Sequence, residues 1–289
     1  MGLCPTVSMK RKVIGGMLLV MVLMSCDHKK SGSESYLTEE VLSDSSWNDS
    51  DEMVLEPETE IDVLPENADE LFDDFVYEFA QSKKIQLGRV RFPLPLVRSK
   101  GDTLWVSQKE WKHDYLYLKQ DSYTVFFNNM SQMDLEKRTD LNRVLVDHIN
   151  LKEKKYRTYH FERIGGKWML TQESFHGLQE SPLYDFLNFY NRFATDSAYQ
   201  YAHINEPIKY TTADPDDDFS TIEGTLSREQ WAAFGPFLPL NDLTNVCYGQ
   251  VYRNPSRMIL VKKGVANGMM DILTFQRESG EWRLSAYEN

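Results

Sequence analysis

Residues 161–170 read Phe161-Glu162-Arg163-Ile164-Gly165-Gly166-Lys167-Trp168-Met169-Leu170, and residues 275–284 read Phe275-Gln276-Arg277-Glu278-Ser279-Gly280-Glu281-Trp282-Arg283-Leu284. Phe, Arg, Gly, Trp and Leu recur between them at a constant offset of 114 residues. Gly165-Gly166 and Ser279-Gly280 supply the left-handed residues of tight hairpins, and aromatic and β-branched runs flank them. Each stretch therefore predicts a pair of antiparallel strands. The same offset carries Phe72, Phe75, Phe79 and Ala80 onto Phe186, Phe189, Phe193 and Ala194, and Pro93 onto Pro207. Between these landmarks, Ser107-Gln108-Lys109-Glu110-Trp111 matches Ser227-Arg228-Glu229-Gln230-Trp231 at an offset of 120. Extra residues in the Asp214–Asp218 loop account for the slip. One offset at both ends of so long a stretch reads as a tandem repeat.

Each copy opens with a helix. Phe72, Phe75, Val76 and Phe79 fall at i, i+3, i+4 and i+7, one apolar stripe. Asn67 and Ser181 stand as N-caps, the latter followed by Pro182. Ser107-x-x-Glu110 and Ser227-x-x-Gln230 read as capping boxes of a second, short helix. Strands follow at Val144–Val146, Tyr156–Ile164 and Trp168–Thr171. Tyr159, Phe161, Trp168 and Leu170 align with Leu273, Phe275, Trp282 and Leu284, apolar in both copies at a spacing of two. That is the core face of an antiparallel sheet, so the recurring Trp are packing residues.

A long helix, a short helix and a curved antiparallel sheet ending in Gly166-Lys167-Trp168 or Gly280-Glu281-Trp282 resembles the nuclear transport factor 2-like (cystatin-like) α+β roll. The resemblance implies two tandem rolls, residues 67–177 and 178–289, each with a conical pocket between helix and sheet. With its leader, the chain is similar to uncharacterised Bacteroidetes lipoproteins. The superfamily holds isomerases, dehydratases and pure binding domains, so fold alone names no reaction.

That leader is residues 1–25. Lys10-Arg11-Lys12 precedes an apolar run from Val13 to Met24, which is too short for a span of roughly 20 residues and suits a secretory signal. Leu23-Met24-Ser25-Cys26 resembles the lipobox of bacterial lipoproteins, which implies cleavage before Cys26 and acylation of its thiol and amino group. The expectation is an anchor in a bacterial membrane at Cys26, with the protein facing the periplasm or cell exterior. Residues 26–66 form an acidic, Ser-rich tether, with too few apolar residues to offset the entropy of ordering. The chain's net charge of −12 argues against nucleic acid as a partner. The tether holds most of that charge, so the argument rests finally on location outside the cytoplasm. The first copy is net basic, with the run Lys152-Glu153-Lys154-Lys155 within it, and the second net acidic, so the copies are expected to pair as a pseudo-dimer.

Chemistry is harder to place. Ketosteroid isomerase-like catalysis needs a carboxylate base facing acidic hydroxyls in an apolar pocket. Tyr115, Tyr117, Tyr123, Asp147 and His148 are the candidates in the first copy. In the second, Val261 and Lys262 replace Asp147 and His148. His113-Asp114 reads as a solvated pair on a helix, where neighbours point about 100° apart. His28, His113, His148, His160, His176 and His203 show no ligand spacing, and Asp214–Asp218 lacks the Gly and closing Glu of a calcium loop, so no metal or other cofactor is expected. Cys247 is a lone thiol without an activating arrangement. The leading expectation is a non-catalytic, membrane-anchored binding or scaffold protein for a small apolar molecule, a glycan or a peptide. The alternative is an extracytoplasmic isomerase or lyase acting in the first copy's pocket. A buried carboxylate beside a Tyr hydroxyl, with its pKa raised by burial, separates the two.

Overall fold

The computed structural model describes residues 64, 68–99, 101–253 and 255–289. The leader, Cys26, the acidic tether apart from residue 64, and the Asn67 cap lie outside the described residues.

Two helices open the first half, α1 (Phe72–Gln81) and α2 (Lys83–Arg89). Strands β1 (Leu94–Arg98), β2 (Thr103–Val106) and β3 (Ser122–Phe127) follow, then a 3-10 helix at Met130–Lys137 and strands β4 (Arg143–Asn150), β5 (Lys155–Ile164) and β6 (Lys167–Gly177). The second half repeats the order: α3 (Tyr184–Thr195), α4 (Ser197–Ala202), β7 (Ile204–Asp214), β8 (Asp217–Leu226), α5 (Arg228–Phe234), β9 (Asp242–Cys247), β10 (Arg257–Gly264), β11 (Met270–Glu278) and β12 (Glu281–Glu288). This is a mixed α+β architecture of two curved, mostly antiparallel sheets.

The apolar stripe of α1 buries Phe72, Phe75, Val76 and Phe79 against β5 and β6, and α3 does the same with Phe186, Phe189 and Phe193 against β11 and β12. Ring geometry repeats closely. Phe72 meets Trp168 edge-on at 5.1 Å and Phe79 meets Phe161 at 5.4 Å; Phe186 meets Trp282 at 5.3 Å and Phe193 meets Phe275 at 5.3 Å. Such edge-to-face contacts add to what burial alone contributes. The recurring Arg of each hairpin lies 4.7 Å over its Trp ring, Arg163 over Trp168 and Arg277 over Trp282. The recurring Trp are therefore packing residues. Both sheets also carry a bulge at equivalent places, between His160 and Phe161 and between Thr274 and Phe275.

The strand order is β2-β1-β6-β5-β4-β9 in one sheet and β8-β7-β12-β11-β10-β3 in the other. Each half thus completes its sheet with the third strand of the other. β9 pairs antiparallel with β4, and β3 with β10. At the crossing of β3 and β9, Thr124 and Thr244 exchange four hydrogen bonds. Each hydroxyl donates to the partner carbonyl (2.6 and 2.8 Å) and accepts from the partner amide (2.6 and 3.0 Å). These residues lie 120 apart, so a local two-fold axis passes between them. A cut after Gly177 would take one strand from each sheet, and the described residues cluster as one compact unit. The Lys152–Lys155 run sits exposed at the β4–β5 turn. Strand exchange joins the halves, and the Lys263–Glu136 ion pair also runs between them.

Three local expectations need correction. Ser181 does not cap a helix beginning at Pro182: α3 starts at Tyr184 after Leu183, and the Ser181 hydroxyl accepts from the Leu183 amide. Ser107–Glu110 forms a turn rather than a helix. Glu110 accepts from both the Ser107 amide and hydroxyl, so the reciprocal half of the box is missing. Its counterpart is complete, with Ser227 and Gln230 capping α5 reciprocally. Finally, His113-Asp114 lies on no helix. Its chain is held by the Gln86 side chain, which donates to the Asp114 carbonyl at 2.6 Å and accepts from the Asp114 amide at 3.1 Å.

Candidate functional site

A pocket of about 430 Å³ opens on the flank of α1. Asp73, Asp74, Tyr77 and Glu78 of α1 form one wall; Tyr117, Leu118 and Tyr123 form a second; Gly264, which ends β10, and Val265-Ala266 after it close it. Helix geometry explains the first wall. Asp73 and Tyr77 are one turn apart, at the edge of the stripe that begins with Phe72, so they look past the core instead of into it. The other walls meet them only because β3 is exchanged into the second half's sheet, beside β10. That pairing continues into the loops, where the Val265 amide donates to the Asp121 carbonyl at 3.1 Å.

Asp73 is the chemical centre. Burial of its carboxyl pushes the pKa from 3.8 up to about 6, against the opposing effect of the Tyr248 hydroxyl, which donates to Oδ1 at 2.5 Å. Tyr248 follows β9 and is fully buried, so this hydrogen bond also joins the two halves. Burial likewise raises Glu78, with Asp74 adding repulsion. The Tyr117 and Tyr123 rings stack at 4.5 Å, and neither hydroxyl has a hydrogen-bond partner among the described residues. Burial, and next the charge of Asp73, push both phenols upward, so they stay protonated donors. Behind them Lys263 of β10 is paired with Glu136 at 2.5 Å.

Of the five sequence candidates, Tyr117 and Tyr123 line this pocket and the other three do not. Tyr115 packs against His113 with ring centroids 4.0 Å apart, beneath Lys119. Asp147, raised by burial, accepts from the Thr158 hydroxyl at 2.6 Å and is not part of the pocket lining. His148 lies 3.6 Å from Asp242 on β9. The His113-Asp114 pair is not solvated as expected. His113 Nε2 is 2.9 Å from the Ala80 carbonyl, and the Asp114 carboxylate accepts from the Tyr159 hydroxyl at 2.8 Å and faces Arg157 at 2.9 Å. Arg157 also binds Glu173 at 2.7 Å, so this cluster is a structural ion network. Asp214–Asp218 makes the turn of the β7–β8 hairpin. Cys247 is partly exposed, with a thiol that burial pushes up, opposite to an activated nucleophile. Among the described residues no group of His, Cys, Asp or Glu is placed to hold a metal, and no helix is long and apolar enough to cross a membrane.

Asp73 and Tyr248 were missed by sequence reasoning. A signal existed for Asp73. Its counterpart is Leu187, which is wholly buried, so a carboxylate stands where the other copy has core. Tyr248 gave none, since it acts across the exchange. The second half keeps none of this chemistry: Tyr117, Tyr123 and Tyr248 correspond to Phe237, Leu243 and Asn128.

Comparison with known proteins agrees with this architecture. No curated protein matches the chain. A nuclear transport factor 2-like protein from Bacteroides fragilis NCTC 9343, solved by crystallography, matches with a TM-score of 0.73 and 44% identity, over 78% of this chain and 97% of its own. The family described as Domain of unknown function (DUF4348) matches residues 49–289. By that match, which takes in both sheets and the Asp73 pocket, the chain belongs to the DUF4348 family.

Proposed function

We propose that this protein is a lipid-anchored, extracytoplasmic binding protein whose ligand site is the Asp73 pocket. It is built from two nuclear transport factor 2-like rolls, residues 67–177 and 178–289, that have exchanged their third strands; the repeated strand order and ring packing support that division. The observation that carries the binding function is the placement of a desolvated carboxyl and two unpartnered phenols around one open volume, in one half only. Desolvating a carboxyl weakens the fold, and such a cost is borne where a ligand needs the group. The lipobox-like Leu23-Met24-Ser25-Cys26 supports the anchor, and the acidic tether supports a position held off the membrane. A screen of small molecules by thermal denaturation tests the site: compounds should stabilise the wild type and leave Asp73→Leu, which copies the second half, unaffected. Equal stabilisation of both would place the ligand elsewhere. Cys26→Ser should move the protein from the membrane to the soluble fraction; retention would refute the anchor.

One observation favours a second reading. A carboxylate near pKa 6 beside phenol donors has the make-up of a general base with an oxyanion site, as an isomerase or lyase needs. In that case the protein would shift the double bond of a β,γ-unsaturated ketone, and Asp73→Asn would abolish turnover. Binding without turnover by the wild type would dismiss it.

A further inference from the structure

The walls of the Asp73 pocket specify more than a small molecule. Three carboxylates, Asp73, Asp74 and Glu78, share it with three phenol rings, Tyr77, Tyr117 and Tyr123, and no Lys, Arg or His lines it. The cations adjacent in chain are already engaged, Lys263 with Glu136 and Lys119 over the Tyr115 ring. Lys263 attracts the Asp73 charge and Glu136 opposes that attraction, while repulsion from Asp74 acts on both Asp73 and Glu78, so the lining itself holds acidic groups and no cation. An independent feature points to what balances those groups. Tyr117 is only 6% exposed, lines the pocket, and leaves its hydroxyl without a partner among the described residues, while its ring stacks with that of Tyr123. Phenol faces and carboxylates together suit a cation of diffuse charge. A bare metal ion is a poor fit, because no group of acidic residues converges closely enough to coordinate one among the described residues. Leu118, Val265 and Ala266 add an apolar side to the same volume.

We propose that the Asp73 pocket binds a small organic ammonium ion, its charged head against Asp73 and the tyrosine rings and its carbon portion against Leu118, Val265 and Ala266. This rests on the reading of the pocket as the ligand site and narrows it to one chemical class. The ionised carboxyl, costly when the pocket is empty, becomes the counter-ion when it is filled.

The test is calorimetric titration of the full chain with tetramethylammonium, choline and hexylammonium, beside 3,3-dimethylbutan-1-ol, the uncharged isostere of choline. The expected result is that at least one ammonium probe binds more than about tenfold tighter than the alcohol. Asp73→Asn should erase that preference and leave alcohol binding within about twofold. Tyr117→Leu, which keeps every carboxylate, should weaken the ammonium probe by roughly fivefold or more. Circular dichroism confirms that each variant is folded. If the alcohol binds as well as the cations, or binds while all three cations fail, the ammonium assignment is overturned and the pocket remains the ligand site. If none of the four binds and no compound of the thermal screen depends on Asp73, the pocket reading falls with it.

Discussion

Replacing Asp73 with Asn separates what the carboxyl does for a ligand from what it does to the fold. At about 1.4 kcal/mol per pKa unit, the rise from 3.8 to about 6 makes ionised Asp73 a burden of about 3 kcal/mol on the folded state. The direction follows from proton binding. The folded chain holds this proton more tightly than the unfolded chain, so Asp73's contribution falls as pH rises from about 4 to about 6 and stays low above that. Asn keeps an oxygen for the Tyr248 hydroxyl, so that buried donor keeps its acceptor, and Asp74, Glu78, Glu136 and Lys263 are unchanged. The variant should therefore be more stable than wild type by up to about 3 kcal/mol at pH 8, and equal to it near pH 4. Urea denaturation followed by Trp fluorescence at a series of pH values reads the difference directly. A difference that does not change with pH, or a variant less stable at pH 8, would refute the argument that desolvation governs Asp73.

Other consequences follow from the interlocked sheets and the aromatic cores. Thr124→Val removes a donor and an acceptor from the four-bond crossing and strands the Thr244 amide, so it should cost roughly 1–3 kcal/mol in chemical denaturation. A protease site introduced at Leu178–Glu180 and cleaved should yield fragments that co-elute in gel filtration and separate only in denaturant; separation in buffer would contradict the strand exchange. Trp168→Ala and Trp282→Ala each empty a site under edge-on Phe contacts and should each lower stability by about 3–5 kcal/mol. Arg157→Met leaves the carboxylates of Asp114 and Glu173 buried without their cation, a loss of roughly 3–5 kcal/mol at neutral pH that shrinks in acid.

What the sequence disclosed, and what it hid, divide along physical lines. The hairpins and helices were legible because Gly165-Gly166, the Phe72–Phe79 stripe and their copies act locally, through backbone conformation and periodicity. The inward face was legible because Tyr159, Phe161, Trp168 and Leu170 stay apolar in both copies. The exchange of β3 and β9 was not, since pairing with β4 or with β10 uses the same alternation of buried and exposed residues; only the long-range encounter of Thr124 with Thr244 distinguishes them. Half of the pocket was visible as Tyr117 and Tyr123. Asp73 was masked by its place in a helix read for its apolar residues, and Tyr248 by its separation of 175 positions from its partner. The pocket exists because the halves interlock, and a reading of either half alone could not assemble it.

The most direct measurement is the titration of the Asp73 carboxyl by carbon-detected NMR, with the Asp73→Asn spectrum assigning the resonance. The account expects protonation near pH 6 in the free protein and at a distinctly lower pH once an ammonium probe saturates the pocket. A carboxyl titrating near 4 in the free protein, or one near 6 that the probe does not move, would contradict it.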